Sequence, residues 1–101
     1  MNTSYYLLQL IVDDKVVHEI IDQLLTFETP LKFNVETINA YHSSQRLGST
    51  HEQVSGHVKK IKIEVQVSVD NFRSVIKHAK APLSYSEMEY VLMPTIEIGI
   101  A

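Results

Sequence analysis

The sequence predicts an α+β fold of ferredoxin-like βαββαβ order, an antiparallel sheet with two helices on one face. Three observations carry that expectation. Short runs rich in β-branched and aromatic residues lie at 5–12, 31–40, 58–67 and 87–93. Apolar residues recur at helical spacing in two segments, one after the first run and one after the third. Turn and capping residues, Asp13-Asp14, Thr29-Pro30, Asp70 and Pro82, punctuate the boundaries. The 101 residues read as a single domain.

The first strand, Tyr5 to Val12, is apolar on both alternating faces: Tyr6, Leu8, Leu10 and Val12 on one, Tyr5, Leu7 and Ile11 on the other. A strand covered on both faces belongs inside a sheet. Asp13-Asp14 supplies N-cap candidates for a helix whose stripe is Val16, Val17, Ile20, Ile21, Leu24 and Leu25. Lys15, His18, Glu19, Asp22 and Gln23 take the opposite side, and Thr29-Pro30 closes the helix. Leu31, Phe33 and Val35 then alternate with Lys32, Asn34 and Glu36. The apolar phase shifts to Ile38 and Ala40, which predicts a bulge near Glu36–Thr37.

Ile61, Ile63, Val65 and Val67 alternate with Lys60, Lys62, Glu64 and Gln66, a strand with one apolar and one polar face. Asp70 is the expected cap of a second helix with Phe72, Val75, Ile76 and Ala79 inward and Arg73, Lys77 and Lys80 in water. Pro82 ends it. Glu87 to Met93 is the last strand, Pro94 breaks its ladder, and Thr95–Ile100 becomes a separate edge strand or an arm. Two helices cover one sheet face only, yet the strands carry apolar residues on both. A neighbouring subunit is the simplest cover, so a homo-oligomer is expected.

Composition narrows the function classes. A net charge of −3 opposes general nucleic-acid binding. The absence of cysteine excludes disulfides, thiolate metal sites and a cysteine nucleophile. The first residues lack the positive region of a signal peptide, and no apolar run approaches the roughly 20 residues of a membrane span. A soluble, cytoplasmic domain is expected rather than an integral membrane protein. No Ser–His–Asp pattern, nucleophile elbow or P-loop is present, so catalysis is not expected.

Between the second and third strands runs a polar segment of 16 residues, His42 to His57. Loops of that length in compact domains are usually functional or disordered. It holds His42, His51, Glu52 and His57, ligand types that suit zinc, nickel or copper(II). A loop folded back at its base would bring His42 and His57 together. The alternative is a solvated loop whose histidines cap turns. Glu52-Gln53-Val54 reads either as a ligand-gripping turn, with Gly56 free to take a positive φ, or as the descent into the strand. Ser43-Ser44 with Arg46 is a weak oxyanion candidate. Lys59, Lys60 and Lys62 with Glu64 suggest a solvated or subunit-facing polar surface, and His18 and His78 fall on exposed helix faces. Tyr85 and Tyr90 read as core or interface anchors.

The segments His42-Ser43-Ser44, Glu52-Gln53-Val54-Ser55-Gly56 and Tyr90-Val91-Leu92-Met93-Pro94 resemble a branch of the PII-like superfamily known as a domain of unknown function. Where relatives tend to carry an arginine after the glycine, this chain has His57. The resemblance implies a homotrimer whose excursion between strands 2 and 3 is a mobile "T-loop". It implies a ligand in the subunit cleft at the base of that loop, with His42, Ser43, Ser44, Glu52, Gln53 and Gly56 as the candidate contacts. It also implies regulation by docking on a partner, often a membrane transporter, and an association with heavy-metal efflux. One departure is plain. The segment Lys80-Ala81-Pro82-Leu83-Ser84-Tyr85-Ser86 has no glycine and a single lysine, so a PII-style ATP site is not expected. No counterpart of the modified loop tyrosine is evident, because Tyr41 lies at the loop's base.

Three functions therefore stand open. One is a trimeric regulatory or sensor protein binding a small ligand or a metal at the subunit cleft and signalling through Tyr41–His57. The second is a metal-tolerance protein whose divalent metal sits on His42, His51 and His57. The third is a small cofactor-free ferredoxin-like enzyme using a cleft histidine as general base.

Overall fold

The computed structural model describes residues 5–43, 57–83 and 87–101. In chain order the elements are β1 (Tyr5–Asp13), α1 (Val17–Leu25), β2 (Phe33–Ala40), β3 (Val58–Ser68), α2 (Phe72–Lys80) and β4 (Glu89–Pro94). The four strands form one antiparallel sheet in the order β2-β3-β1-β4. The doubly apolar first strand lies inside it, between β3 and β4, as its pattern requires.

Registers assign every side chain to a face. Leu8 lies opposite Val65 on one side and Leu92 on the other, and Leu10 opposite Ile63 and Tyr90. This face carries the core, where Leu8, Leu10, Val12, Ile61, Ile63, Val65 and Val67 pack with Val17, Ile20 and Leu24 of α1 and Val75 and Ala79 of α2. Leu83 joins them, after its amide closes the end of α2 onto the Lys80 carbonyl at 2.8 Å. The helices leave the other face open. On it stand Leu7, Gln9 and Ile11 of β1, Lys60, Lys62 and Glu64 of β3, and Val91 and Met93 of β4.

Several local expectations are corrected. The β2–β3 ladder runs residue for residue from Phe33–Val65 to Ala40–Val58, with no bulge. The phase shift has another cause. On the helix side Val35 and Thr37 are already exposed, and the half-buried residues Ile38 and Ala40 lie on the opposite face. Apolar residues change sides where the covering changes.

None of the expected aspartates, Asp13, Asp14 or Asp70, caps a helix with its side chain. Asp13 ends β1, and its Oδ1 accepts the Lys15 amide at 2.9 Å, shaping the turn before α1. Position Val16 begins α1 without a side-chain cap. Asn71, not Asp70, precedes α2, and its bonds point back to β3: Oδ1 accepts the Ser68 amide at 2.8 Å while the Asn71 amide donates to Ser68 Oγ at 3.0 Å. Helix α1 stops at Leu25, four residues before Thr29, where the Thr26 hydroxyl donates to the carbonyls of Asp22 (3.0 Å) and Gln23 (3.2 Å). Leu25, assigned to the buried stripe, is exposed.

Pro94 does not break the β4 ladder. It pairs opposite Tyr6 on an edge strand, where a missing N–H is tolerated. Residues 95–101 then leave the sheet as an arm, tied by a bond from Thr95 Oγ1 to the Tyr5 carbonyl at 2.9 Å.

Candidate functional site

A cleft of about 470 Å³ opens on the uncovered sheet face, at the base of the 41–57 excursion. Its lining draws on every strand region: Ala40, Tyr41 and His42 from the end of β2, Lys60 from β3, Ile11 from β1, and Glu87 and Glu89 at the start of β4. Strand alternation explains the gathering. Ile11 lies opposite Glu89, and Lys60 lies opposite Ile38 and Asp13, so Ile11, Lys60 and Glu89 leave the sheet on the same face. Ile11 and Ala40 are its apolar lining; Glu87 and Glu89 stand on the β4 side, and Lys60 lies across β1, on β3.

The electrostatics are local. Asp13 lies well placed to keep its charge: the Lys15 amide bond holds its carboxyl below the ordinary range, and the Lys60 and Lys15 charges add to this. Lys62, one alternation away from Lys60, is committed to Glu36 at 2.9 Å, and that hydrogen bond and charge push its ammonium pKa up. Lys60 remains the lysine that lines the cleft.

Of the residues singled out from sequence, His42 lines the cleft, and Ser43 is exposed beside it. His57 does not line the cleft, though it packs against Tyr41, which does. It is half-buried with its ring against Tyr41, centroids 5.4 Å apart at an angle of 49°. Ser44, His51, Glu52, Gln53 and Gly56 lie outside the described residues. Among the described residues no group of three or more His, Cys, Asp or Glu side chains is arranged to hold a metal ion. A metal bound by His42 and His57 would need further ligands from the undescribed part of the loop.

Sequence reasoning missed Glu87, Glu89 and Ile11 as site residues and placed Lys60 on a solvated or subunit-facing polar surface. Alternation put Lys60 on the polar face, but only the register brings it to the same end of the sheet as Glu89. His78 was also misplaced. It is half-buried, edge-on to Phe27 at 5.4 Å, and its Nε2 is buried without a hydrogen-bond partner. A second hollow of about 490 Å³ lies there on the helical side, lined by Thr26, Phe27, Glu28, Ser74, Lys77, His78 and Ala81.

Comparison with known proteins assigns the family. The family model described as "Protein of unknown function (DUF3240)" matches residues 2–101. The chain belongs to the DUF3240 family. A solved DUF3240 family protein from Shewanella baltica OS155 is similar over 99% of both chains, with 17% identity and a TM-score of 0.80. The Arabidopsis thaliana PII protein bound to citrate is 18% identical, over 93% of this chain and 79% of that one, with a TM-score of 0.69. The periplasmic divalent cation tolerance protein CutA from Archaeoglobus fulgidus is 13% identical, over 95% and 87%, with a TM-score of 0.56. At these identities the solved structures establish the fold alone. No curated protein matches the sequence. No helix among the described residues is long and apolar enough to cross a membrane.

Proposed function

We propose that this protein is a homotrimeric regulatory or sensor protein of PII-like type, a binding protein rather than an enzyme. It takes a small ligand in the cleft at the base of the 41–57 excursion and passes the bound state to a partner through that segment. The observation that carries this reading is the place of the cleft. It lies where the excursion leaves β2, on the sheet face the helices leave open, and that face keeps apolar residues for another subunit to cover. A ligand there touches Tyr41 and His42, so occupancy acts directly on the first residues of the excursion. Ordering a segment on ligand binding is a common switch. The PII protein described with citrate supports a small organic ligand for this fold. The family resemblance supports a membrane transporter, of the metal-efflux kind, as the partner.

Native mass spectrometry of protein taken directly from cells tests the reading. The expected result is a three-chain particle, with any retained small molecule released on activation. A single-chain particle at micromolar concentration would overturn it.

The CutA neighbour, named for divalent cation tolerance, favours a second reading in which His42, His51 and His57 bind the metal themselves. Calorimetry with zinc, nickel and copper would then show affinity that falls as pH drops through the imidazole range. Equal affinity in the triple alanine variant of those histidines rules it out.

A further inference from the structure

We infer that the cleft takes a small molecule carrying an ammonium group at one end and a carboxylate at the other. This rests on the reading of that cleft as the ligand site and names the ligand class. The charges are segregated. Glu87 and Glu89 stand at the β4 end, Lys60 stands across β1 on β3, and the apolar Ile11 lies between. Two strand spacings of about 4.8 Å, with the two-residue stagger of the registers, separate the Lys60 and Glu89 backbones by roughly 12 Å. Both side chains leave the sheet on the same face, so their charged ends stand about as far apart as the backbones, a gap that takes a chain of about six carbons with a hydrogen bond at each end.

Other ligand classes fit less well. A polyphosphate would meet two carboxylates and one lysine. Lys62 cannot supply a second cation, being paired with Glu36. A metal ion would need three ligands, and among the described residues His42, Glu87 and Glu89 do not form such a group. An ammonium group needs no fixed coordination geometry, and two carboxylates offer it charge-assisted hydrogen bonds. The carboxylate end meets Lys60.

Matched six-carbon probes test the assignment by calorimetry on the intact protein: 6-aminohexanoate, diaminohexane and adipate, with ATP and citrate alongside. The expected order places 6-aminohexanoate first. Glu89→Gln and Lys60→Met should each weaken it about tenfold, while Glu28→Gln, in the hollow on the helical side, leaves it unchanged. Adipate binding as tightly as 6-aminohexanoate overturns the inference, and so does an unchanged affinity in the double variant Glu87→Gln/Glu89→Gln. Hydrogen exchange separates the two levels of the argument. If citrate or ATP protects Ala40–His42 and 6-aminohexanoate does not bind at millimolar concentration, the charge assignment falls and the cleft reading stands. If a probe binds and protects only residues away from the cleft, both fall.

Discussion

Asp13 shows how one side chain serves both fold and site. Its carboxylate accepts the Lys15 amide at 2.9 Å, closing the turn from β1 into α1, and it stands opposite Lys60 in the ladder. That bond, with the two lysine charges, lowers its pKa in the folded state. The unfolded chain, with an aspartate pKa of about 3.9, therefore takes up the proton first as pH falls. The stability that Asp13 contributes is fully present above that value and is lost as pH falls through the lower folded pKa. Asp13→Asn keeps an acceptor for the amide but removes the titration. Urea unfolding midpoints measured from about pH 2 to 5 should then fall less steeply with acid than in the wild type; an unchanged slope sinks the account. None of this was legible as such, since Asp13-Asp14 read as a helix cap. His78 was misread for a related reason. Periodicity assigns faces from neighbours on the same helix, whereas Phe27, beyond the end of another helix, folds against its ring.

Elements were more legible than their ends. The order and type of all six followed from alternation and helical spacing, because burial on one face imposes a period on any sequence. Ends depend on short polar contacts that several residues nearby could make. At the start of α2 the sequence favoured Asp70, and the structure uses Asn71, whose Oδ1 takes the part-buried Ser68 amide at 2.8 Å. Asn71→Ala leaves that amide without its acceptor and should cost about 1 kcal/mol. Asp70→Ala, in an exposed turn, should cost less than about 0.5 kcal/mol. Urea midpoints at unchanged m-value measure both. Equal losses would mean that the aspartate contributes after all. The bulge was misread because the sequence argument assumed one covering along the whole of β2, while Val35 and Thr37 are already exposed on the helix side.

At the scale of the molecule, the candidate site was half legible. His42 and the loop base stood out as sequence, but the opposite wall, Glu87 and Glu89, is about 45 residues away and joins the site only through the β1–β4 register. The same register decides what the open face is for. Helices seal one side with side chains at or near zero exposure, such as Leu8, Leu10 and Ile63, whereas Tyr5 and Val91 stay 50% exposed. Leu7, Val91 and Met93 form an apolar strip on that open side, beside the charged strip of Lys62 and Glu64. Such an arrangement suits a face that is partly a contact between copies. Val91→Lys separates assembly from folding. Within one chain the new ammonium reaches water, and unfolding free energy should change by less than about 0.5 kcal/mol. Between subunits it would be an unpaired charge taken out of water, which association cannot readily tolerate. Sedimentation should therefore show the three-chain particle proposed for the wild type reduced to single, folded chains. A variant that still sediments as three chains would move the subunit contact off this face, and the cleft at its edge would then lie open to solvent rather than between subunits.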